Sequence, residues 1–191
     1  SRQTAQMLDG IEGIIKKENP DIVMLYGDTN STIAGALAAV KLHIPVVHVE
    51  AGLRSYNKYM PEEINRITTD HCSTVLFVPT ITGINNLKRE GFDINSKLPY
   101  SVNNPAVFHC GDVMYDNTLF FSDIVDGKSS ILEELDLEKE KYILVTIHRE
   151  DNTNDLERLK NIFEALYSIV EKSGFNIVLP LHPRTMKVIN N

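Results

Sequence analysis

The sequence predicts an α/β protein of two Rossmann-like, doubly wound domains, present here as a partial chain. Three observations carry that reading. Short apolar runs bounded by Pro or Gly, such as Ile22-Val23-Met24-Leu25-Tyr26, have the length and composition of buried parallel strands. Segments with apolar residues at helical spacing alternate with those runs. The alternation breaks at a polar patch, Asp126-Gly127-Lys128-Ser129-Ser130, and then restarts. The expected division is 1–112 as a first domain lacking its opening units, 113–130 as a junction, and 131–191 as the truncated start of a second domain.

Met7, Leu8, Ile11, Ile14 and Ile15 recur at helical spacing and predict an amphipathic helix over 4–18. No strand precedes it, and in a βαβ series each helix follows a strand, so the chain is expected to begin in mid-domain. The run 22–26, between Pro20 and Gly27, reads as a strand buried on both faces. The Ala-rich segment 31–42 reads as a helix packed tightly on the sheet, with Asn30 or Ser31 as its cap. Pro45-Val46-Val47-His48-Val49-Glu50 is a second strand, and 55–60, with Tyr56 and Tyr59, is a loop. Pro61-Glu62-Glu63 opens a helix, because Pro suits the first turn and carboxylates suit the positive end of the dipole.

Thr74-Val75-Leu76-Phe77-Val78 is a third strand, stopped by Pro79, and a helix follows over 81–90. The passage 91–105 is rich in loop formers, and Ala106-Val107-Phe108-His109-Cys110 reads as a short strand closing the sheet. A connecting helix is expected over 113–123. Tyr142-Ile143-Leu144-Val145-Thr146, a long amphipathic helix over 156–172, and Ile177-Val178-Leu179 restart the alternation. There is no internal repeat.

The 191 residues carry a net charge of −7, which argues against a broad nucleic-acid or anionic-membrane footprint. No apolar run approaches the roughly 20 residues of a membrane span, and no signal peptide opens the chain. Cys72 and Cys110 stand in no metal or redox spacing and read as free thiols, so a reducing cytoplasm fits.

Four groups fall at or just beyond the carboxyl ends of predicted strands: Asp28, Glu50, His148 and His182. That edge is where open α/β sheets bind ligands. Asp28 is either a cap for the following helix or a working group. Glu62 and Glu63 have a plain reading as helix-dipole carboxylates, and Glu62 with Arg66 as a surface i, i+4 ion pair. His48 and Glu50 alternate on one face of a strand, with Asp28 as a third possible metal ligand, yet no HxH, HExxH or DxD spacing supports a metal. Several such groups on one edge favour a site over separate structural roles.

Gly27-Asp28-Thr29, His48-Val49-Glu50-Ala51-Gly52-Leu53-Arg54 and Pro61-Glu62-Glu63-Ile64-Asn65-Arg66 follow one another in an order that resembles the non-hydrolysing UDP-N-acetylglucosamine 2-epimerases. Gly111-Asp112-Val113-Met114-Tyr115-Asp116 is similar to that family's interdomain passage. Thr146-Ile147-His148-Arg149-Glu150-Asp151-Asn152 and His182-Pro183-Arg184 resemble its second-domain motifs. Asp151 stands where the family often has Glu. The family's first strand, with its Arg- and Lys-bearing loop, would precede residue 1, and most uridine and diphosphate contacts would follow residue 191.

The resemblance implies the paired, glycosyltransferase-B-like architecture and an isomerase that eliminates UDP to 2-acetamidoglucal and adds it back with carbon 2 inverted. It implies Asp28, Glu50 and Glu62 as the acid/base set, with His148 at the diphosphate or assisting departure. Asp28, Glu50, Arg54, His148, Arg149 and His182 would be the substrate contacts. It implies a UDP-sugar substrate, no cofactor and no metal, a homodimer in the full-length enzyme, and little activity in this chain alone. Arg54-Ser55-Tyr56-Asn57 and the Gly-Asp-Val-Met-Tyr-Asp passage also resemble the branch acting on UDP-2,3-diacetamido-glucuronic acid. A glycosyltransferase of the same architecture and a non-catalytic nucleotide-sugar module compete with these readings. A transferase needs only one base, so three carboxylates weigh against it.

Overall fold

The computed structural model describes residues 2–125, 127–147, 149–181, 183, 185 and 186. They fall into two compact units, Ser1–Phe120 and Phe121–Asn191. In the first unit α1 (Arg2–Glu18) precedes a βα series: β1 (Val23–Tyr26), α2 (Asn30–Lys41), β2 (Val46–Val49), α3 (Pro61–Cys72), β3 (Val75–Val78), α4 (Ile81–Arg89) and β4 (Ala106–His109). All four strands are parallel and lie in the order β1-β2-β3-β4.

A sheet that grows by one strand per right-handed crossover keeps its crossover helices on one face. The packing agrees. Ile15 of α1 and Ala38 and Ala39 of α2 enclose Val46 of β2, while Leu87 of α4 packs with Leu76 and Val78 of β3. The small residues of α2 let it approach the sheet closely: a Cβ on Gly35 would stand 2.7 Å from Leu25 Cδ2.

The opposite face explains one departure from expectation. The run 22–26 reads as buried on both faces, but Met24 is 50% and Tyr26 63% exposed. Among the described residues β1 stands at the edge of the sheet, and the helices cover only the side to which Val23 and Leu25 point. Residues of the next strands on that open face partly cover one another, as Phe77 and Phe108 do with centroids 5.9 Å apart. The start of α2 is a second departure. Thr29 is the N-cap and offers its backbone carbonyl to Thr32 N–H and Ile33 N–H, while Asn30 and Ser31 already lie in the first turn.

α5 (Val113–Val125) has no buried residue despite its apolar composition. In the second unit α6 (Ile131–Glu134), β5 (Tyr142–Leu144), α7 (Glu150–Thr153), α8 (Leu156–Ser173) and β6 (Asn176–Val178) follow, with β5 and β6 paired in parallel. Asp155 caps α8 by accepting from Arg158 N–H, and Gly174 ends it at φ 70°. No helix among the described residues is long and apolar enough to cross a membrane.

Candidate functional site

β1 and β2 are neighbours in parallel, with Tyr26 opposite Val49, so the turns that follow them leave the same edge of the sheet side by side. Gly27 N–H donates to Val49 O at 3.1 Å and locks the two turns together. Asp28 and Glu50 are the first acidic groups past those strand ends. Glu50 sits at φ 74°, a left-handed conformation that costs a non-glycine residue about 1–3 kcal/mol. Gly27 turns at φ 65°, a left-handed conformation that glycine adopts without the Cβ penalty.

One cation joins the pair. Arg66, on α3, donates through Nη2 to Glu50 Oε2 at 2.9 Å, and its Nη1 forms an ion pair with Asp28 Oδ2 at 2.8 Å. Its side chain is 13% exposed, and its Nε has no partner among the described residues. Asn65, its neighbour, donates from Nδ2 to Asp28 O at 2.8 Å and to Asn30 Oδ1 at 3.2 Å, fixing the Asp28 turn from the helix side.

Beneath this edge lies a buried polar clip. His48 and Asp70 are fully buried, and His48 Nδ1 meets Asp70 Oδ1 at 2.6 Å while Nε2 meets Gly27 O at 2.8 Å. Asp70 Oδ2 accepts from Gly52 N–H at 3.1 Å and Arg54 Nη2 at 2.8 Å. Gly52, at φ 78°, has no room for a side chain, since a Cβ would fall 2.7 Å from Gly83 O. Arg54 continues the network in a two-pronged pair with Glu90, at 2.8 and 2.7 Å. Burial pulls the Arg54 pKa down, but hydrogen bonding and charge from Glu90 and Asp70 outweigh it and leave the guanidinium above its ordinary value.

Glu63 organises the 55–60 loop. It accepts from Ser55 N–H at 2.7 Å, Ser55 Oγ at 3.0 Å and Tyr56 N–H at 3.0 Å. Burial raises its pKa, but these donors and the nearby Arg54 charge bring it below the ordinary carboxylate value. Tyr56 OH donates to Asn86 Oδ1 at 2.6 Å, tying the loop to α4.

The residues singled out in the sequence therefore separate. Asp28 and Glu50 come together on one edge. Glu62 is exposed in the first turn of α3, and its carboxylate has no hydrogen bond or ion pair among the described residues. The expected Glu62–Arg66 pair is not formed, because Arg66 turns inward to Asp28 and Glu50. Arg54 has a side chain only 2% exposed and committed to Asp70 and Glu90, which makes it a holder of its turn within this unit. His48 spends both ring nitrogens on Asp70 and Gly27, and no group of three metal-binding side chains occurs among the described residues. Arg149, in the second unit, is exposed, and its carbonyl accepts from Asn152 N–H and Thr153 N–H. His148 and His182 lie outside the described residues.

Sequence reasoning missed the inner partners. The signal was present in α3, where Glu63, Arg66 and Asp70 recur at helical spacing on the side where apolar residues are expected.

A family model for UDP-N-acetylglucosamine 2-epimerase matches residues 1–191. The chain belongs to the UDP-N-acetylglucosamine 2-epimerase family. It is 50% identical to a UDP-N-acetylglucosamine 2-epimerase homolog of Methanococcus maripaludis over 98% of this chain and 48% of that protein. It is 48% identical to the UDP-2,3-diacetamido-2,3-dideoxy-D-glucuronate 2-epimerase of Pseudomonas aeruginosa over 98% of this chain and 49% of the other. Among solved structures it superposes on the UDP-GlcNAc 2-epimerase of Methanocaldococcus jannaschii, crystallised with UDP-GlcNAc and UDP, with a TM-score of 0.82 at 43% identity, covering 98% of this chain and 49% of that one. The α/β fold is thus the epimerase fold, and the chain spans about half the length of the curated relatives it matches.

Proposed function

We propose that the protein carrying this chain is a sugar-nucleotide 2-epimerase that interconverts UDP-N-acetylglucosamine and UDP-N-acetylmannosamine. The observation that carries this reading is the emergence of Asp28 and Glu50 side by side at the carboxyl edge of adjacent parallel strands. Inverting carbon 2 requires removal of a weakly acidic C–H proton. In the proposed reaction a carboxylate takes that proton, the C–H electron pair forms the carbon 1–carbon 2 double bond, and UDP leaves carbon 1 with the electrons of the C–O bond. Re-addition returns UDP to carbon 1 and a proton to the opposite face of carbon 2. The two half-reactions need a base and an acid near one sugar, which paired carboxylates provide.

Asp28, Glu50 and Glu62 are assigned the acid/base work, with His148 at the departing diphosphate; Arg54, Arg149 and His182 join Asp28, Glu50 and His148 as the substrate contacts. No cofactor is required. The domain division 1–112, 113–130 and 131–191 belongs to the same reading, as do a homodimer, a cytoplasmic site of action and a role in supplying cell-surface polysaccharide precursors.

A second substrate has a specific observation behind it: the diacetamido-glucuronate epimerase of Pseudomonas aeruginosa is 48% identical. Incubating the full-length protein separately with UDP-N-acetylglucosamine and with UDP-2,3-diacetamido-glucuronic acid, and following the anomeric proton signals, decides between them. Appearance of the manno form from the first supports the principal reading; turnover of the second alone supports the other. Release of UDP with a glycosylated acceptor, or binding without conversion, overturns both.

A further inference from the structure

We propose that Arg66 is a positioning residue for the epimerisation: it yokes the Asp28 and Glu50 carboxylates at a fixed separation and orientation while touching no substrate atom. The inference rests on the epimerase reading of this edge and deepens it. Asp28 and Glu50 lie on turns after two different strands, and Arg66 is the side chain that joins them, at 2.8 and 2.9 Å. It takes one oxygen from each, Asp28 Oδ2 and Glu50 Oε2. The other oxygens, Asp28 Oδ1 and Glu50 Oε1, have no hydrogen-bond partner among the described residues. A clamped oxygen and an open one on each carboxylate is the arrangement a proton-transferring pair needs. The clamp sets the aim, and the open oxygen exchanges the proton.

Two features argue that this geometry serves the carboxylates rather than the helix. Arg66 forgoes Glu62, its i−4 neighbour on the exposed side of α3, and turns inward. It also leaves its buried Nε–H without a partner among the described residues while both Nη groups reach the acids. The guanidinium is a rigid fork whose two ends can serve two carboxylates at once, whereas an ammonium is a point donor on a flexible stem.

The test uses the full-length protein with Arg66→Ala and Arg66→Lys. A positioning role predicts turnover down by about 100-fold in Arg66→Ala, the scale expected when reacting groups shift by an ångström. The KM for UDP-sugar and the Kd for UDP should stay within about twofold, because no substrate contact is lost. Arg66→Lys should recover little. Methylguanidinium added to Arg66→Ala should restore part of the turnover and leave the parent protein unaffected.

Turnover near the parental value in a folded Arg66→Ala protein overturns the proposal, and so does a raised KM with turnover intact, which would make Arg66 a substrate contact. A parent protein that epimerises no UDP-sugar overturns the functional reading instead. Crystal structures of the parent and Arg66→Lys then judge the yoke alone. Displacement of the two carboxylates from their parental separation supports it, and unchanged positions refute it. The same pair of structures decides if Arg66→Ala fails to fold.

Discussion

Replacing Asp70 by Ala tests whether the buried clip holds the site edge. Asp70 is fully buried and meets three groups: His48 Nδ1 at 2.6 Å, Gly52 N–H at 3.1 Å and Arg54 Nη2 at 2.8 Å. Alanine strands the Gly52 N–H and one end of His48 in a dry interior, at about 1–3 kcal/mol for each unsatisfied group. It also removes one of two carboxylates from a guanidinium that Glu90 continues to satisfy. The sum, tempered by relaxation, is about 3–5 kcal/mol, the range found when one partner of a buried ion pair is deleted. For a chain of this size each kcal/mol moves Tm by about 2–4 °C, so scanning calorimetry should show a fall of about 10 °C. Asp70→Asn should lose less than half as much. Its amide oxygen still accepts from Gly52 and Arg54, and its amide nitrogen can donate to His48 Nδ1 when the ring carries its hydrogen on Nε2. An Asp70→Ala protein within about 1 kcal/mol of the parent would mean that the clip does not hold the site edge.

Gly52→Ala should destabilise by about 2 kcal/mol or more in urea unfolding, because the new Cβ meets a backbone oxygen at 2.7 Å and the φ of 78° is unfavourable for it. For Glu63, the folded pKa lies below the ordinary 4.5, so its stabilising contribution is present above that value and disappears as pH falls through the folded pKa. Stability curves of the parent and Glu63→Gln should therefore differ at pH 7 and converge in acid; a constant offset would contradict the sign. In the full-length protein, Asp28→Asn or Glu50→Gln should cut turnover by about 10²–10⁴-fold with a far smaller change in UDP-sugar affinity, measured by steady-state rates and calorimetric titration.

The strands and helices were legible because each is a local signal. Apolar runs of four or five residues between Pro and Gly, and the Ala-rich 31–42, declare themselves within a window of a dozen residues. The exposure of Met24 and Tyr26 among the described residues was not legible, because an apolar run looks the same whether one or both of its faces are covered. Asp28 and Glu50 were found because parallel strand ends share an edge whatever the intervening residues. Their partner was hidden: Arg66 lies 38 positions from Asp28 and 16 from Glu50, while Glu62 stands one turn away and offers a local explanation. His48 and Asp70 were hidden for the same reason, as their contact spans 22 positions and only the folded β2–α3 packing creates it. The partners of Arg54 were hidden in the same way, since Asp70 and Glu90 lie 16 and 36 positions along the chain.

Proton transfer at carbon 2, proposed for the edge carrying Asp28 and Glu50, leaves an isotopic trace. Incubating the full-length protein with UDP-N-acetylglucosamine in deuterated water, and reading carbon 2 of the recovered sugar nucleotides by proton NMR, tests it most directly. The expected result is deuterium at carbon 2 alongside formation of the manno epimer, and a loss of both in Glu50→Gln and Asp28→Asn. Epimerisation that keeps the original carbon 2 proton, or wash-in of deuterium that survives both substitutions, would contradict it.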